Sequence, residues 1–395
     1  MLQLKKKVID SITAFIQDSR ATGIILLLCT FFSLLLSNIE PVKSFYTHFW
    51  NYSFSNQNGH FYTIGFISLP NSVNLVINDF LMAVFFLLAG MEIRRELHHG
   101  ELSSLKKSMV PLFGAIGGMI APAILFTQIN RGTDNMNGWA IPMATDIAFT
   151  LGVASLLGKK VPVSLKIFLT ALAIIDDLGA IMVIALFYGG HLKWIYLVFA
   201  ALILAIMFIL QRQKKSFGMI HIILGLLLWY TMFNSGIHAT VAGVIFAFVI
   251  PANSLERLEA KLHLPVYFFI IPVFALANTA ITISKDTIES FNSTLTWGII
   301  AGLCIGKPLG ICGTVYYLVK KRWAKLPHGV SWQHLIGGGI LAGIGFTMSI
   351  FIAVLAFDNT VHKDDVAKLS VLIASFISML AGYLWLKKAA KAIHI

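Results

Sequence analysis

Two adjacent carboxylates, Asp176 and Asp177, stand in the run "LAIIDDLGAI" (172–181), whose other residues are all apolar or Gly. In such a setting a carboxylate can hold a proton, bind a small hard cation through oxygen, or pair with a buried base. A base is at hand, because Lys307 lies inside the equally apolar "GLCIGKPLGI" (302–311). Desolvation favours the neutral form of acid and lysine, whereas pairing favours the charged forms, so such groups titrate as one coupled set. Adjacent helical residues point about 100° apart, so Asp176 and Asp177 cannot both face one partner. One is free to face a water-filled cavity while the other turns toward Lys307.

"ATDIAFTLG" (144–152) adds Thr145 and Asp146. Thr145, Asp176, Asp177 and the carbonyls of an unwound helix make an oxygen set suited to a small cation. Protons and cation would compete for the same oxygens, which is the chemistry of exchange. Other roles stay open. Thr145 could bond back to its own helix, and Asp146 could neutralise the positive end of a broken helix. Asp79, beside Asn78, reads as readily as a hydrogen-bonding bridge between helices.

The elements that carry these groups are membrane helices. Of 395 residues 57% are hydrophobic and only 12% charged, and the mean hydropathy is +0.80, far too apolar for a soluble domain. Runs of about 20 apolar residues recur along the chain. They place spans at 21–38, 73–91, 109–128, 139–157, 167–188, 195–210, 218–234, 236–250, 264–283, 297–319, 333–356 and 367–386, twelve in all. With both ends inside, 23 Lys and Arg fall in inner segments and 6 in outer ones, leaving only Lys307 within a span; that asymmetry supports the count and puts both termini in the cytoplasm. The net charge of +12 is therefore topological. No basic, aromatic-interleaved surface marks a nucleic-acid partner, and the partner implied is the lipid bilayer. Cys29, Cys304 and Cys312 sit in apolar segments with no CxxC spacing, which argues against a metal knuckle or a disulfide framework.

Residues 1–395 read as one integral membrane domain. Residues 1–20 predict an amphipathic cytoplasmic helix, with Val8, Ile9, Ile12, Phe15 and Ile16 at helical spacing among lysines. The outer loop 43–70 holds two aromatic and β-branched runs around Asn58-Gly59, a hairpin signal. A lone hairpin is marginal in water, so its edge is a candidate contact with a second copy.

Of the 18 acidic residues, 14 sit in loops or at span ends; the exceptions are Asp79, Asp146, Asp176 and Asp177. Each costs about 2.5–3.5 kcal/mol at a helix centre. Asp177, Lys307 and Asp146 all lie within about two residues of their span centres, and Gly345 marks the centre of span eleven. "IAFTLGV" (147–153) and "IGFTMSI" (344–350) share Ile, Phe and Thr in register, in spans that enter from opposite sides, as an inverted repeat requires.

Taken together, "ATDIAFTLG", "LKIFLTALAIIDDLGAI" (165–181), "SGIHATVAGV" (235–244), "GLCIGKPLGI" and "GILAGIGFTMSIFIA" (339–353) resemble the NhaA sodium/proton antiporters over nearly the whole chain. That resemblance implies an all-α polytopic protein of about twelve transmembrane helices in the bacterial inner membrane. It further implies inverted repeats at spans 3–5 and 10–12, with spans 4 and 11 discontinuous and crossing at the midplane. Asp176 and Asp177 would be the cation and proton carriers, Lys307 the partner of Asp176, and Thr145 and Asp146 the crossing of the broken helices. Glu92, Arg95 and Glu96 of "MEIRREL" (91–97), Glu259 and His263 of "RLEAKLH" (257–263), and His238 would contribute to pH control. Glu256 stands where a basic residue often precedes "RLE", a departure that bears on the pH set point.

The resulting expectation is an electrogenic, pH-regulated antiporter that exports Na+ or Li+ against H+ and needs no cofactor. An intramembrane enzyme does not fit: "DDLGA" lacks the third Asp of a prenyl-transfer motif, and "IIDDLG" lacks the GxGD context of an aspartyl protease. A proton-coupled carrier of another solute would need an organic pocket, and a cation channel would not need Lys307; these are the alternatives.

Overall fold

The computed structural model describes residues 19–55, 60–65, 67–213, 215–358 and 360–392. The expected amphipathic helix at 1–20 and the Asn58-Gly59 turn therefore lie outside the described residues, apart from Ser19 and Arg20. The described residues are mostly helical: α1 (Ser19–Leu36), α2 (Val42–Trp50), a hairpin of β1 (Phe61–Ile64) and β2 (Ile67–Pro70), then α3 (Val73–His99) and α4 (Leu105–Ile129). A 3-10 stretch (Met136–Met143) precedes α5 (Ile147–Leu156), followed by α6 (Val163–Phe187), α7 (Trp194–Arg212), α8 (Met219–Ser235) and α9 (Val241–Val249). The remainder is α10 (Ala252–Asn278), α11 (Lys285–Ser290), α12 (Thr294–Lys320), α13 (Trp332–Ala342), α14 (Phe346–Ala356) and α15 (Val361–Ala392).

Among the described residues eight helices are long and apolar enough to cross a bilayer, nine if α13 and α14, bent by 41° at their junction, count as one span. Ala21–Leu36 and Met219–Ser235 are shorter apolar helices. The eighth expected span, 236–250, is a helix of only nine residues, α9, well below the length that crosses a bilayer.

Several boundaries differ from the hydropathy reading for one reason: the apolar run ends before the helix does. Glu92, Arg95 and Glu96 belong to the last turns of α3, and Glu259 and His263 to the first turns of α10 rather than to a loop. "MEIRREL" and "RLEAKLH" are rich in good helix formers, so the helix continues after burial in lipid has ceased to demand it. The hairpin is present but closes elsewhere than expected. Its register pairs Ile64 with Ile67 and Phe61 with Pro70, and the turn starts at Gly65 with φ +61°, the left-handed conformation that a two-residue hairpin loop requires.

The helices form two compact units. One takes the described residues up to Phe31, Leu105–Asp176 and those from Ser284 onward; the other is Phe32–Ser104 with Asp177–Ile283. In the first, α4 packs along α12, and α15 along α13 and α14. In the second, α3 packs along α9, and α7 along α8.

The contact of α4 with α12 is made backbone to backbone. A Cβ on Gly310 would fall 2.0 Å from the Gly117 carbonyl oxygen, and one on Gly117 would fall 2.4 Å from the Gly310 oxygen. Small residues at such a crossing let helices approach without intervening side chains. Gly310→Val should therefore push α12 off α4 and cost at least about 1–3 kcal/mol, seen as a lower yield of monodisperse protein and a lower thermal midpoint in detergent. A variant with wild-type yield and midpoint would show that this approach is dispensable.

Candidate functional site

Lys307 comes directly after a π-helical turn, Gly302–Gly306, within α12. Widening one turn rotates the succeeding residues by about one position on the helix, roughly 100°, so the turn selects the face on which Lys307 falls. The lysine is fully buried, as is Asp176 of α6. Lys307 Nζ lies 2.9 Å from Asp176 Oδ2 and also donates to the Met143 carbonyl at the end of the 3-10 stretch. Thr145 Oγ1 donates to the same Asp176 Oδ2 at 2.7 Å and lies 3.0 Å from the Ala342 carbonyl oxygen. Asp176 Oδ1 is buried and receives no hydrogen bond among the described residues. Of the two oxygens of Asp176, one is thus held by a lysine and a threonine while the other is buried without a hydrogen bond.

Asp146 caps two half-helices. Its Oδ1 accepts from Phe149 N at 3.0 Å, closing the first turn of α5. Its Oδ2 accepts from Thr347 N at 3.1 Å and from the Thr347 hydroxyl, at the first turn of α14. A carboxylate shared by two N-terminal helix ends is where the peptide dipoles favour a negative charge. The sequence left Asp146 open between ligand and charge compensation; its described bonds are those of charge compensation.

Several carbonyls at the breaks have partners as well. Asp146 N donates to Ile344 O at 2.7 Å, Thr150 Oγ1 to Leu341 O at 3.1 Å, and Ser349 Oγ to Ile141 O at 2.7 Å. Irregular backbone is tolerated at membrane depth only under such accounting.

Asp177, the next residue of α6, is buried and begins the other unit. Among the described residues no three His, Cys, Asp or Glu gather at metal-binding distance, so a cation held here would rely on few carboxylates, hydroxyls, carbonyls and water.

The residues expected to control pH form two separate groups within the second unit. Arg95 pairs with Glu259 and lies 3.4 Å from Glu96; Glu92 lies one turn earlier on α3, and His263 one turn beyond Glu259 on α10, its ring 4.5 Å from that of Tyr267. His238 is apart from them: its Nε2 is 3.4 Å from Asp79 Oδ1 and its Nδ1 2.8 Å from Thr240 Oγ1.

Thr347, Thr150, Ser349 and the Met143 carbonyl were not anticipated as part of the crossing. The first two had a signal, being the matched threonines of "IGFTMSI" and "IAFTLGV". A backbone carbonyl leaves no mark in side-chain spelling.

The buried acid–lysine pair and the two broken helices beside it thus belong to a chain of apolar helices long enough to cross a bilayer. The profile of the family described as Na+/H+ antiporter 1 matches residues 13–386. The Na(+)/H(+) antiporter NhaA of Flavobacterium psychrophilum is 46% identical over 384 residues, covering 95% of this chain and 96% of its own. NhaA 1 of Flavobacterium johnsoniae is 44% identical over 387 residues (96% and 97%), and NhaA of Shewanella frigidimarina 43% identical over 386 (96% and 96%). The chain belongs to the NhaA family of Na+/H+ antiporters, whose named relatives are transporters rather than enzymes.

Proposed function

We propose that the protein exports Na+ or Li+ in exchange for H+ across the bacterial inner membrane, with proton and cation competing for Asp176 and Asp177. The observation that carries this reading is the Asp176 carboxylate, one oxygen tied to Lys307 and Thr145 and the other buried and open, in a chain of a Na+/H+ antiporter family. Asp177 is the cation ligand and Asp176 the lysine partner. Two acids that release two protons for each monovalent cation move a net charge, so exchange is electrogenic and answers to the membrane potential as well as to ΔpH. Access alternates between the two faces as the equilibrium between inward- and outward-open forms is biased by the bound ion. The breaks at 144–146 and 343–345 support the reading of spans 4 and 11 as discontinuous helices crossing at the midplane within an inverted repeat.

The charge asymmetry of the loops supports twelve spans with both termini cytoplasmic. The Arg95–Glu259 pair with Glu92, Glu96 and His263 at the inner ends of α3 and α10, and His238 against Asp79, supply the groups for pH regulation. Ser68 of β2 already bonds Tyr230 Oη and Asn234 Nδ2 of α8, each at 3.4 Å, so a homodimer joined through the hairpin would use the β1 edge.

The test is proton release in inverted membrane vesicles after separate additions of Na+, Li+ and K+, from pH about 6 to 9. Na+ and Li+ are expected to collapse ΔpH and K+ to leave it, with faster exchange under an imposed membrane potential. Failure of Na+ at every pH overturns the proposal in favour of a carrier or channel of another specificity.

A further inference from the structure

The first turn of α14 has no cap of its own. Its N-terminal residue is preceded by Gly345, which has no side chain to offer, and a Cβ there would fall 2.1 Å from Ser349 Oγ. Thr347 N is taken by Asp146. Phe346 N, equally buried, donates to Ser375 Oγ of α15 at 3.2 Å. The matched residue of the other broken span, Phe149, meets Phe346 edge to face with ring centroids 4.7 Å apart, and its N–H is taken by the Asp146 carboxylate. Two phenylalanines in register thus have their amides capped in different ways, one by a charge and one by a neutral hydroxyl from a third helix.

We propose that Ser375 is a positioning residue for ion binding: its hydroxyl caps α14 without adding charge and so holds Asp146 and Thr145 in place for Asp176. The coupling runs through direct contacts within one unit. Ser375 holds Phe346; the Ile344 carbonyl, two residues earlier, accepts from Asp146 N; and Thr145, next to Asp146, donates to Asp176 Oδ2. Without the hydroxyl, Phe346 N–H is a buried donor with no acceptor, which a protein interior does not leave unanswered. The acceptor able to respond is Asp146, which already serves Phe149 and Thr347, and any turn of that carboxylate displaces Thr145 from Asp176. A second carboxylate at position 375 would have capped the amide too, but at the cost of a further buried charge beside Asp146. The other buried serines of α15 bond elsewhere, Ser370 to Thr296 Oγ1 at 3.1 Å and Ser378 to Cys304 Sγ at 3.6 Å; Ser378 Oγ lies beside Gly343, but among these serines Ser375 is the one with a hydrogen bond to the crossing.

This inference rests on the exchange reading above, and its test has one arm that does not. In vesicles, Ser375→Ala should raise the Na+ KM about three- to tenfold, the range of one lost buried hydrogen bond, while Vmax per transporter stays within about twofold. Ser375→Thr, which keeps the hydroxyl, should restore the KM, and Ser370→Ala should leave both parameters alone. In detergent, hydrogen exchange of the peptide covering 344–352 should be faster in Ser375→Ala and return toward wild type in Ser375→Thr. A wild-type KM with unchanged exchange in Ser375→Ala overturns the inference, as does a loss of Vmax alone, which marks a merely structural serine. A wild-type protein silent toward Na+ overturns the exchange reading, while the hydrogen-exchange arm still decides the cap.

Discussion

Asp177→Asn is expected to reduce Na+- and Li+-driven collapse of ΔpH to the level of vesicles lacking the protein, at every pH from about 6 to 9. Asparagine matches aspartate in size, so the helix and its packing survive, but it can neither carry a proton nor offer a charged oxygen to a cation. Both halves of the exchange fail together, whatever the driving force applied. The protein itself should be found in the membrane in normal amount and melt within a few degrees of wild type. Retained exchange in Asp177→Asn would remove the residue from the transport cycle and leave Asp176, with its open Oδ1, as the sole carrier.

The second large effect falls on stability. Lys307→Ala leaves Asp176 fully buried without its counter-charge, and leaves the Met143 carbonyl without the ammonium that donates to it. Breaking a buried pair from one side typically costs about 3–5 kcal/mol, or a fall of roughly 5–10 °C in the thermal midpoint of a chain of this size. The double variant Lys307→Ala with Asp176→Asn should recover much of that loss, because removing both charges removes the uncompensated one. Thermal unfolding in detergent of wild type, both single variants and the double variant forms a double-mutant cycle that isolates the coupling. A double variant no more stable than Lys307→Ala would mean that the lysine stabilises the fold through its packing rather than through Asp176. The two predictions separate cleanly, since Asp177→Asn acts on transport with the fold intact and Lys307→Ala acts on the fold first.

The apolar, helical character of the chain and the burial of Asp146, Asp176, Asp177 and Lys307 were legible in the sequence. Those are consequences of lipid as a solvent: it demands long apolar runs and makes each buried charge so costly that its position alone draws notice. The rotation of about 100° between neighbours already required Asp176 and Asp177 to serve different partners. Depth could not say which groups share a face. The family resemblance implied Asp176 as the partner of Lys307, but the geometry that joins them, Nζ 2.9 Å from Oδ2, belongs to the tertiary structure, because a π-helical turn just before the lysine sets its direction and hydropathy does not register an extra residue in a turn.

The same holds at the crossing. Two glycine-weakened spans were visible, yet the assignment of Asp146 to two half-helix ends, of Thr145 to Asp176, and of the Phe346 amide to Ser375 depended on contacts between residues far apart in the chain. Helix ends were misjudged for a related reason. Hydropathy reports where lipid stops, whereas the helix stops where propensity and capping end it, so Glu92, Arg95, Glu259 and His263 proved to be helical. The sequence by itself determined which groups are too costly to be accidental; the tertiary structure decided what satisfies each of them, because a hydrogen bond or an ion pair is a matter of direction and a few ångströms that only packed helices specify.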